Sequence, residues 1–399
     1  MSHNKTLFLH IGNHQAETIP IERALTADRP LLSSHGLTLF HSRSTEPRHG
    51  RYSHSWLTRD LTRDPPIEAK HGFFNAASKA DGDVIISDED FSYLHTKQSI
   101  NHFVKRFKAH FGTLKVVAYL QRQDMQTISH RQQDGSSKGY LAAQFYGPTS
   151  RALPAYDPRL DQYLDYNQRL SIWADAVGDE NMFIRALDHA QVDSLDVVSD
   201  FFQCLGIESG DHLPATVRSG GCTQTKVGHL VSVSPLSRDR YAELALVFDT
   251  RSQLLPSRVD AESFYSHYRE SNRKLNQRFK INSNEFLFDE DFYRLPQTPQ
   301  DIWTEEKANL AILKMLKACE QRENLTREEV TFFIECIAKV YQSDFRLADK
   351  LLTLARRLAR NLDEVEVPDR ESFISQLSIF KQWLVRLRTV KKGKKILNP

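Results

Sequence analysis

Cysteine is scarce in this 399-residue chain: Cys204, Cys222, Cys319 and Cys336 are the four present. None belongs to a CxxC pair or to a Cys/His ligand spacing, which argues against a disulfide framework and against a zinc site, so no metal is expected. Long apolar runs are missing too. No stretch approaches the roughly 20 residues of a membrane span, and "TLFLHIG" near the start is too short for a signal region and runs straight into a turn. The expected location is therefore the cytoplasm. Charge of one sign is also absent, since 53 basic against 51 acidic residues leave a formal net charge of +2. Without a global positive field, nucleic acid is not expected as a partner.

What is present reads as a globular protein, 40% hydrophobic and 26% charged. The chain is too long for one small core, which implies a large domain with an appendage. Four short, continuously apolar runs predict buried strands: Thr6 to Ile11, Asp83 to Ser87, Lys115 to Gln121 and Met182 to Asp188. Amphipathic stretches lie between them, such as "QSINHFVKRFKAHFG" and "QYLDYNQRLSIWADAVG", the second stopping at Gly178. Strand and helix in alternation imply an α/β fold, a three-layer parallel sheet flanked by helices, with ligands at the carboxyl ends of the strands.

Two segments break that rhythm. Gly36 to roughly Gly72 is rich in His, Arg, Ser and Pro and predicts a surface excursion, while "RALPAYDPRL" predicts a lid or part of an acceptor cleft. Beyond Trp303 only helical patterns remain, from "EKANLAILKMLKACEQREN" to "RESFISQLSIFKQWLVRLRTV". The expected division is an α/β domain over 1–300 and a helical C-terminal appendage over 301–399. The appendage ends on a basic tail after an apolar stripe of Phe373, Leu377, Phe380, Leu384 and Leu387. Such a helix packs on its own domain with a solvated tail, or it lies on a partner protein or an anionic bilayer.

The segment "TLFLHIGNHQAETIPIERAL" runs from strand through a Gly turn into a helix, the layout that brings a phosphate to a helix N-terminus. With "GDVIISDEDFS", "KVVAYLQRQDMQTISHRQQ", "YNQRLSIWADAVGDENMFIRALDHAQVDSLDVVSDFFQCLGI" and "YRESNRKLNQRF", it occurs in the order and at about the spacing of bacterial sulfotransferase-like proteins. The chain thus resembles the sulfotransferase family over about its first three quarters. That family transfers a sulfuryl group from 3′-phosphoadenosine 5′-phosphosulfate (PAPS) to a hydroxyl or amine. The resemblance implies a P-loop-like fold, PAPS as co-substrate and a glycan or small molecule as acceptor.

In related proteins the loop reads approximately H-I-G-x-H-K-T-G-T-T. This chain keeps His10, Ile11, Gly12, His14 and Thr18, and has Gln15, Ala16, Glu17 and Ile19 where the pattern has Lys, Thr, Gly and Thr. A carboxylate about 4 Å from a phosphate opposes binding by roughly 4 kcal/mol at an effective dielectric near 20. The resemblance nonetheless assigns Gly12, Gln15 and Thr18 to the donor cradle, with Arg122 and Ser129 facing its 3′-phosphate. Gln121 replaces the first of two Arg residues usual at that strand end, and Arg122 pairing with Asp124 is the alternative to a phosphate contact.

Glu89, in "SDEDFS", matches the family's acidic position and is the candidate base for the acceptor proton, while Asp88 or Asp90 capping the next helix is the alternative. His14 is the second catalytic candidate, as acid or donor, against a purely structural hydrogen bond. Ser271 and Asn272 either close over the nucleotide or tie down a neighbouring loop. Three functions follow: an active sulfotransferase, a catalytically degenerate relative that binds or assembles, or an enzyme for a different, less anionic ligand on the same scaffold.

Overall fold

The computed structural model describes residues 5–14, 18–41, 71–134, 146, 151–187, 197–208, 222–223, 225–227, 248, 254–302, 304–320 and 353. Two compact units divide the chain. The first takes residues 1–134, 139–220 and 253–301, and the second takes 135–138, 221–252 and 302–399.

The first unit is built on a sheet of β1 (Thr6–His10), β2 (Leu37–Leu39), β3 (Asp83–Ser87), β4 (Thr113–Gln121) and β5 (Met182–Leu187). Their order is β2-β3-β1-β4-β5, and every pairing is parallel. The four continuous apolar runs form strands as expected, because a sheet covered on both faces buries every side chain of its central strands. The fifth strand is an addition. β2 falls inside the segment read as a surface excursion, and three residues are too few to show a periodicity. Residues 42–70 of that segment lie outside the described residues.

Helices form the outer layers. On one face Phe8, Ile85, Val117, Tyr119 and Leu187 pack with α1 (Thr18–Ala27), α2 (Arg29–Ser34) and α8 (Val197–Cys204), through Ile21, Leu25, Leu32, Phe201 and Phe202. Between these in the chain come α3 (His71–Ser78), α4 (Lys97–Lys108), α5 (Gln123–Asp134), α6 (Asp161–Leu164) and α7 (Tyr166–Val177). The other face carries α4 and α7 against β4. α4 follows its sequence closely. Thr96 caps it by accepting from the Ser99 N–H, Ile100, Phe103, Val104 and Phe107 are buried at helical spacing, and Lys105, Arg106 and Lys108 sit in the last turn where the dipole favours cations. The helix expected to stop at Gly178 does so, with that residue at φ +100°. Its start differs, because Asp165 caps α7 by accepting from the Gln168 N–H and so separates it from α6.

Further along, α9 (Arg258–Ser266) and α10 (Arg269–Phe279) complete the helices described in this unit. In the second unit, α11 (Glu305–Glu320) buries Ala311, Ile312 and Met315 and exposes Leu310. The later helical patterns and the basic tail lie outside the described residues. Among the described residues no helix is long and apolar enough to cross a membrane.

The turn into β3 depends on a close backbone approach. Gly82 has φ +66°, and a Cβ placed there would run into the Gly36 carbonyl oxygen, which already accepts from the Asp83 N–H at 2.8 Å. Gly82→Ala is therefore expected to lose about 3 kcal/mol, strain and clash together. Gly36→Ala, at φ +69° with open space around its Cβ, should lose only about 1 kcal/mol. Urea unfolding midpoints decide the point, and equal losses would refute the close approach.

Candidate active site

The carboxyl ends of β1, β3 and β4 bring the candidate residues together. In this strand order the chain leaves β1 toward β2 on one side and later returns to β4 on the other, so the switch point of the sheet lies between β1 and β4. The β1 ladder continues past His10. Ile11 N–H donates to Val117 O at 3.0 Å, Tyr119 N–H to Gly12 O at 3.1 Å, and Asn13 N–H to Tyr119 O at 3.1 Å. The Gly12 turn and the β4 end that leads to Arg122 are thus neighbours, as the nucleotide-site expectation requires.

Gly12 takes φ +83°, and a Cβ on it would lie 3.0 Å from the Glu89 Cα. Only glycine satisfies both constraints without strain. Glu89 itself is buried beside the turn. Its neighbours have separate tasks. Asp88 caps the 3-10 turn Glu89–Tyr93 by accepting from the Asp90 N–H at 2.8 Å, and Asp90 reaches His14 Nε2 at 3.2 Å. Burial and the nearby Asp88 charge push the Asp90 carboxyl upward, while the His14 contact pulls it back.

His14 is buried, with both ring nitrogens engaged. Nδ1 lies 3.0 Å from both Tyr163 Oη and Ser92 Oγ. Ser92 donates its proton to Glu89 O at 2.7 Å, and Tyr163 Oη receives a hydrogen from Gln126 Nε2 at 3.2 Å. Donor and acceptor roles at the two ring nitrogens follow the His14 tautomer. The ring stacks on His130 with centroids 4.5 Å apart and planes 13° apart. His130 in turn meets Tyr93 Oη and Tyr146 Oη, each at 2.9 Å. Burial, with His14 and Arg131 nearby, holds it well below the usual histidine range, so this ring is neutral.

The remaining expected residues fall out as follows. Thr18 opens α1 and donates to Asn13 O at 3.0 Å, which closes the loop across its base. Gln15 lies outside the described residues, as do Ala16 and Glu17. Arg122 is buried, gives Nε and Nη2 to Asp124 at 2.8 and 3.1 Å, and gives Nη1 to the carbonyls of Asp289 and Asp291 at 2.8 and 2.9 Å. Its guanidinium also lies 3.8 Å from the centre of the Phe292 ring. One Nη2 hydrogen remains. Ser129 is half-buried on α5. Ser271 donates to Asp165, and Asn272 exchanges two amide hydrogen bonds with Gln123 at 2.8 and 2.9 Å, so both tie α10 to its neighbours. Of the predicted set, Gly12, His14, Thr18 and Glu89 adjoin one turn, whereas the Arg122 head faces residues 289–292.

Several central residues were not among those expected. Gln123, Gln126, Thr127, His130 and Arg131 are all buried on α5. Their spacing of 0, 3, 4, 7 and 8 is that of a core-facing stripe, occupied here by polar side chains. That pattern, directly after a buried strand, is the signal that finds them. Arg169 of α7 left no such trace. It is fully buried, donates to Ser92 O at 2.6 Å and to Asn13 Oδ1, and lies over the rings of Tyr163 and Tyr166. His10 is the third buried base, 2.9 Å from Ser87 Oγ through Nδ1, with no partner for Nε2 among the described residues.

No protein-family model matches the sequence. An uncharacterised protein of Archaeoglobus fulgidus is 26% identical over 267 residues, covering 62% of this chain and 68% of that one. Among solved structures, a sulfotransferase from Alicyclobacillus acidocaldarius aligns over 69% of this chain and 96% of its own, at TM-score 0.37 and 11% identity. A mouse sulfotransferase solved with PAP aligns over 90% and 89%, at TM-score 0.29 and 10% identity. Neither likeness brings chemistry to this chain.

Two buried histidines, His10 and His130, make stability depend on acid. Burial lowers His10 to about 4, against a partial pull upward from Glu89 and Asp88. On acidification the unfolded chain takes up this proton near pH 6.5 while the folded chain resists until about 4, so stability present above 6.5 is lost as pH falls through that window. The contribution is about 3 kcal/mol. His130 acts in the same direction and Asp90 in the opposite one. Wild type should therefore lose more stability than His10→Gln between pH 6.5 and 4 in urea titrations, and parallel curves would contradict the burial of a neutral His10.

Proposed function

We propose that the chain is a sulfotransferase-type protein, which places the sulfuryl group of PAPS on a hydroxyl or amine of a glycan or small-molecule acceptor in the cytoplasm. The observation that carries this reading is the Gly12 turn at the switch point of the sheet, with Glu89 held against it. The donor, when bound, supplies an activated sulfuryl group. The protein's own part is to receive the anion at the Gly12 turn and the first turn of α1, and to take the acceptor proton onto the Glu89 carboxylate as the acceptor oxygen or nitrogen attacks. His14 then acts as a positioning residue, since it contacts Asp90 and Ser92, which follow Glu89 in the same 3-10 turn, and Ser92 in turn donates to Glu89 O. Gln15 would supply a neutral hydrogen bond where the family pattern has a cation.

A second reading, a degenerate relative that keeps the fold as a binding or assembly partner, has specific support. Arg122 is engaged by Asp124 and two carbonyls, and Pro20 in the first turn of α1 removes a backbone N–H from the cradle.

Calorimetric titration with 3′-phosphoadenosine 5′-phosphate (PAP) separates the two. Binding by wild type in the micromolar range supports catalysis, and binding by Gln15→Lys/Glu17→Gly alone supports decay of the site. Silence from both would defeat the nucleotide assignment. In a wild type that binds, Glu89→Gln should leave affinity for PAP intact and lower PAP release from PAPS over a mixed glycan pool by about a hundredfold or more. Unchanged turnover would remove Glu89 from the mechanism.

A further inference from the structure

An open pocket of about 340 Å³ lies away from the carboxyl ends of the strands, against the face of β4 and β5 that α8 covers. Lys115, Phe183, Arg185, Gln203 and Leu205 line it. The pairings Val117 with Phe183 and Tyr119 with Arg185 put residues 115, 117 and 119 on the same sheet face as 183 and 185, so the lining follows from strand alternation. Its size is at the lower end for small-molecule sites.

The polar groups here are unevenly used. The Lys115 ammonium lies 5.1 Å from the Phe8 ring centre and 5.7 Å from that of Phe183, and has no acid partner among the described residues. Arg185 gives Nε to Asp200 at 3.1 and 3.2 Å. Among the described residues its outer nitrogens meet Ile184 O at 3.4 Å, long for N–H···O, and Cys204 Sγ at 3.6 Å, a weak acceptor, which leaves two of the four outer hydrogens for a ligand. Asp200 is also engaged by Tyr119 Oη at 2.6 Å. Burial pushes the Cys204 thiol up, so it stays neutral. Among the described residues, two cations against one carboxylate leave a single positive charge. The C-terminal carbonyls of α8 reduce the appeal of the site for anything more negative than a monoanion.

We propose that this pocket binds a small monocarboxylate with a flat apolar body, the carboxylate between Lys115 Nζ and the outer nitrogens of Arg185, and the body against Phe183 and Leu205. A carboxylate matches the guanidinium fork, and an aromatic body adds ring contact that a bare inorganic anion does not have. The site is independent of sulfuryl transfer.

Benzoate is the probe, with benzamide as its neutral counterpart and inorganic sulfate as the bare dianion. By calorimetry on the full chain, benzoate should bind saturably, and benzamide and sulfate should bind about tenfold or more weakly. Lys115→Met should lose about tenfold while Lys115→Arg retains binding. Gln15→Lys/Glu17→Gly should leave benzoate affinity unchanged, which keeps this test separate from that of the nucleotide cradle. In the unmutated protein the Arg185 Nε–H resonance should shift on adding benzoate, a readout that needs no variant to fold. Absence of saturable benzoate binding, equal affinity for benzamide, full affinity in Lys115→Met or an unmoved Arg185 resonance would each overturn the proposal.

Discussion

The continuation of the β1 ladder through Asn13 constrains everything at the mouth of the sheet. Two backbone hydrogen bonds between Gly12–Asn13 and Tyr119 hold the loop in line with β4, where a free turn would lift away. The chain must then change direction at Gly12, which the positive φ permits, and the absence of a side chain there lets the Glu89 backbone close in. With those two segments in contact, Asn13 points to Arg169 and His14 to Asp90, Ser92 and Tyr163. The polar cluster is therefore a consequence of one backbone register.

Such a cluster is stable only when nearly complete. A neutral hydrogen bond contributes about 1 kcal/mol net, whereas a buried group stripped of its partner costs about 1–3 kcal/mol. Among the described residues Arg169 has no carboxylate partner: a carbonyl, an amide oxygen and two tyrosine rings take the place of a counter-charge. Burial still lowers its pKa, which measures the remaining penalty of desolvation. The stacked His14 and His130 rings add a like constraint, since two adjacent imidazolium ions would repel and the more buried ring remains neutral.

The parts of this fold legible in the sequence are those with a local signature. Continuous apolar runs located β1, β3, β4 and β5, and the Gly178 stop ended α7, because burial on both faces and a glycine at positive φ each act on a few adjacent residues. β2 was hidden by its length, and the two carbonyl partners of Arg122 by distance in the chain, since Asp289 and Asp291 are more than 160 positions away, whereas its pairing with Asp124 was legible. The neighbourhood of Gly12 and Glu89 was readable only as an order of motifs. The polar stripe on α5 was visible as letters but contrary to expectation, because helix reading looks for apolar faces, and this helix buries amides, a hydroxyl and an imidazole instead.

The state of Arg122 limits how an anion can be recognised at this mouth. A phosphate approaching it meets a guanidinium already bidentate with Asp124, a carboxylate that is itself fully buried and two residues away. Displacing Asp124 would strand that charge, at a loss of about 3–5 kcal/mol for a broken buried pair. A single added phosphate contact, worth about 1.5–3 kcal/mol, does not offset that loss. The gain is smaller still while two carbonyls hold Nη1. The N–H groups of Ile11 and Asn13 are spent on β4, so recognition of a nucleotide anion would fall to backbone N–H groups at the start of α1, where Pro20 leaves one fewer donor. Backbone donors carry dipoles and no full charge, so they favour an anion by direction and proximity. Arg122 has the chemistry of a phosphate ligand, but its present contacts make it a clamp between β4, α5 and the segment around Phe292.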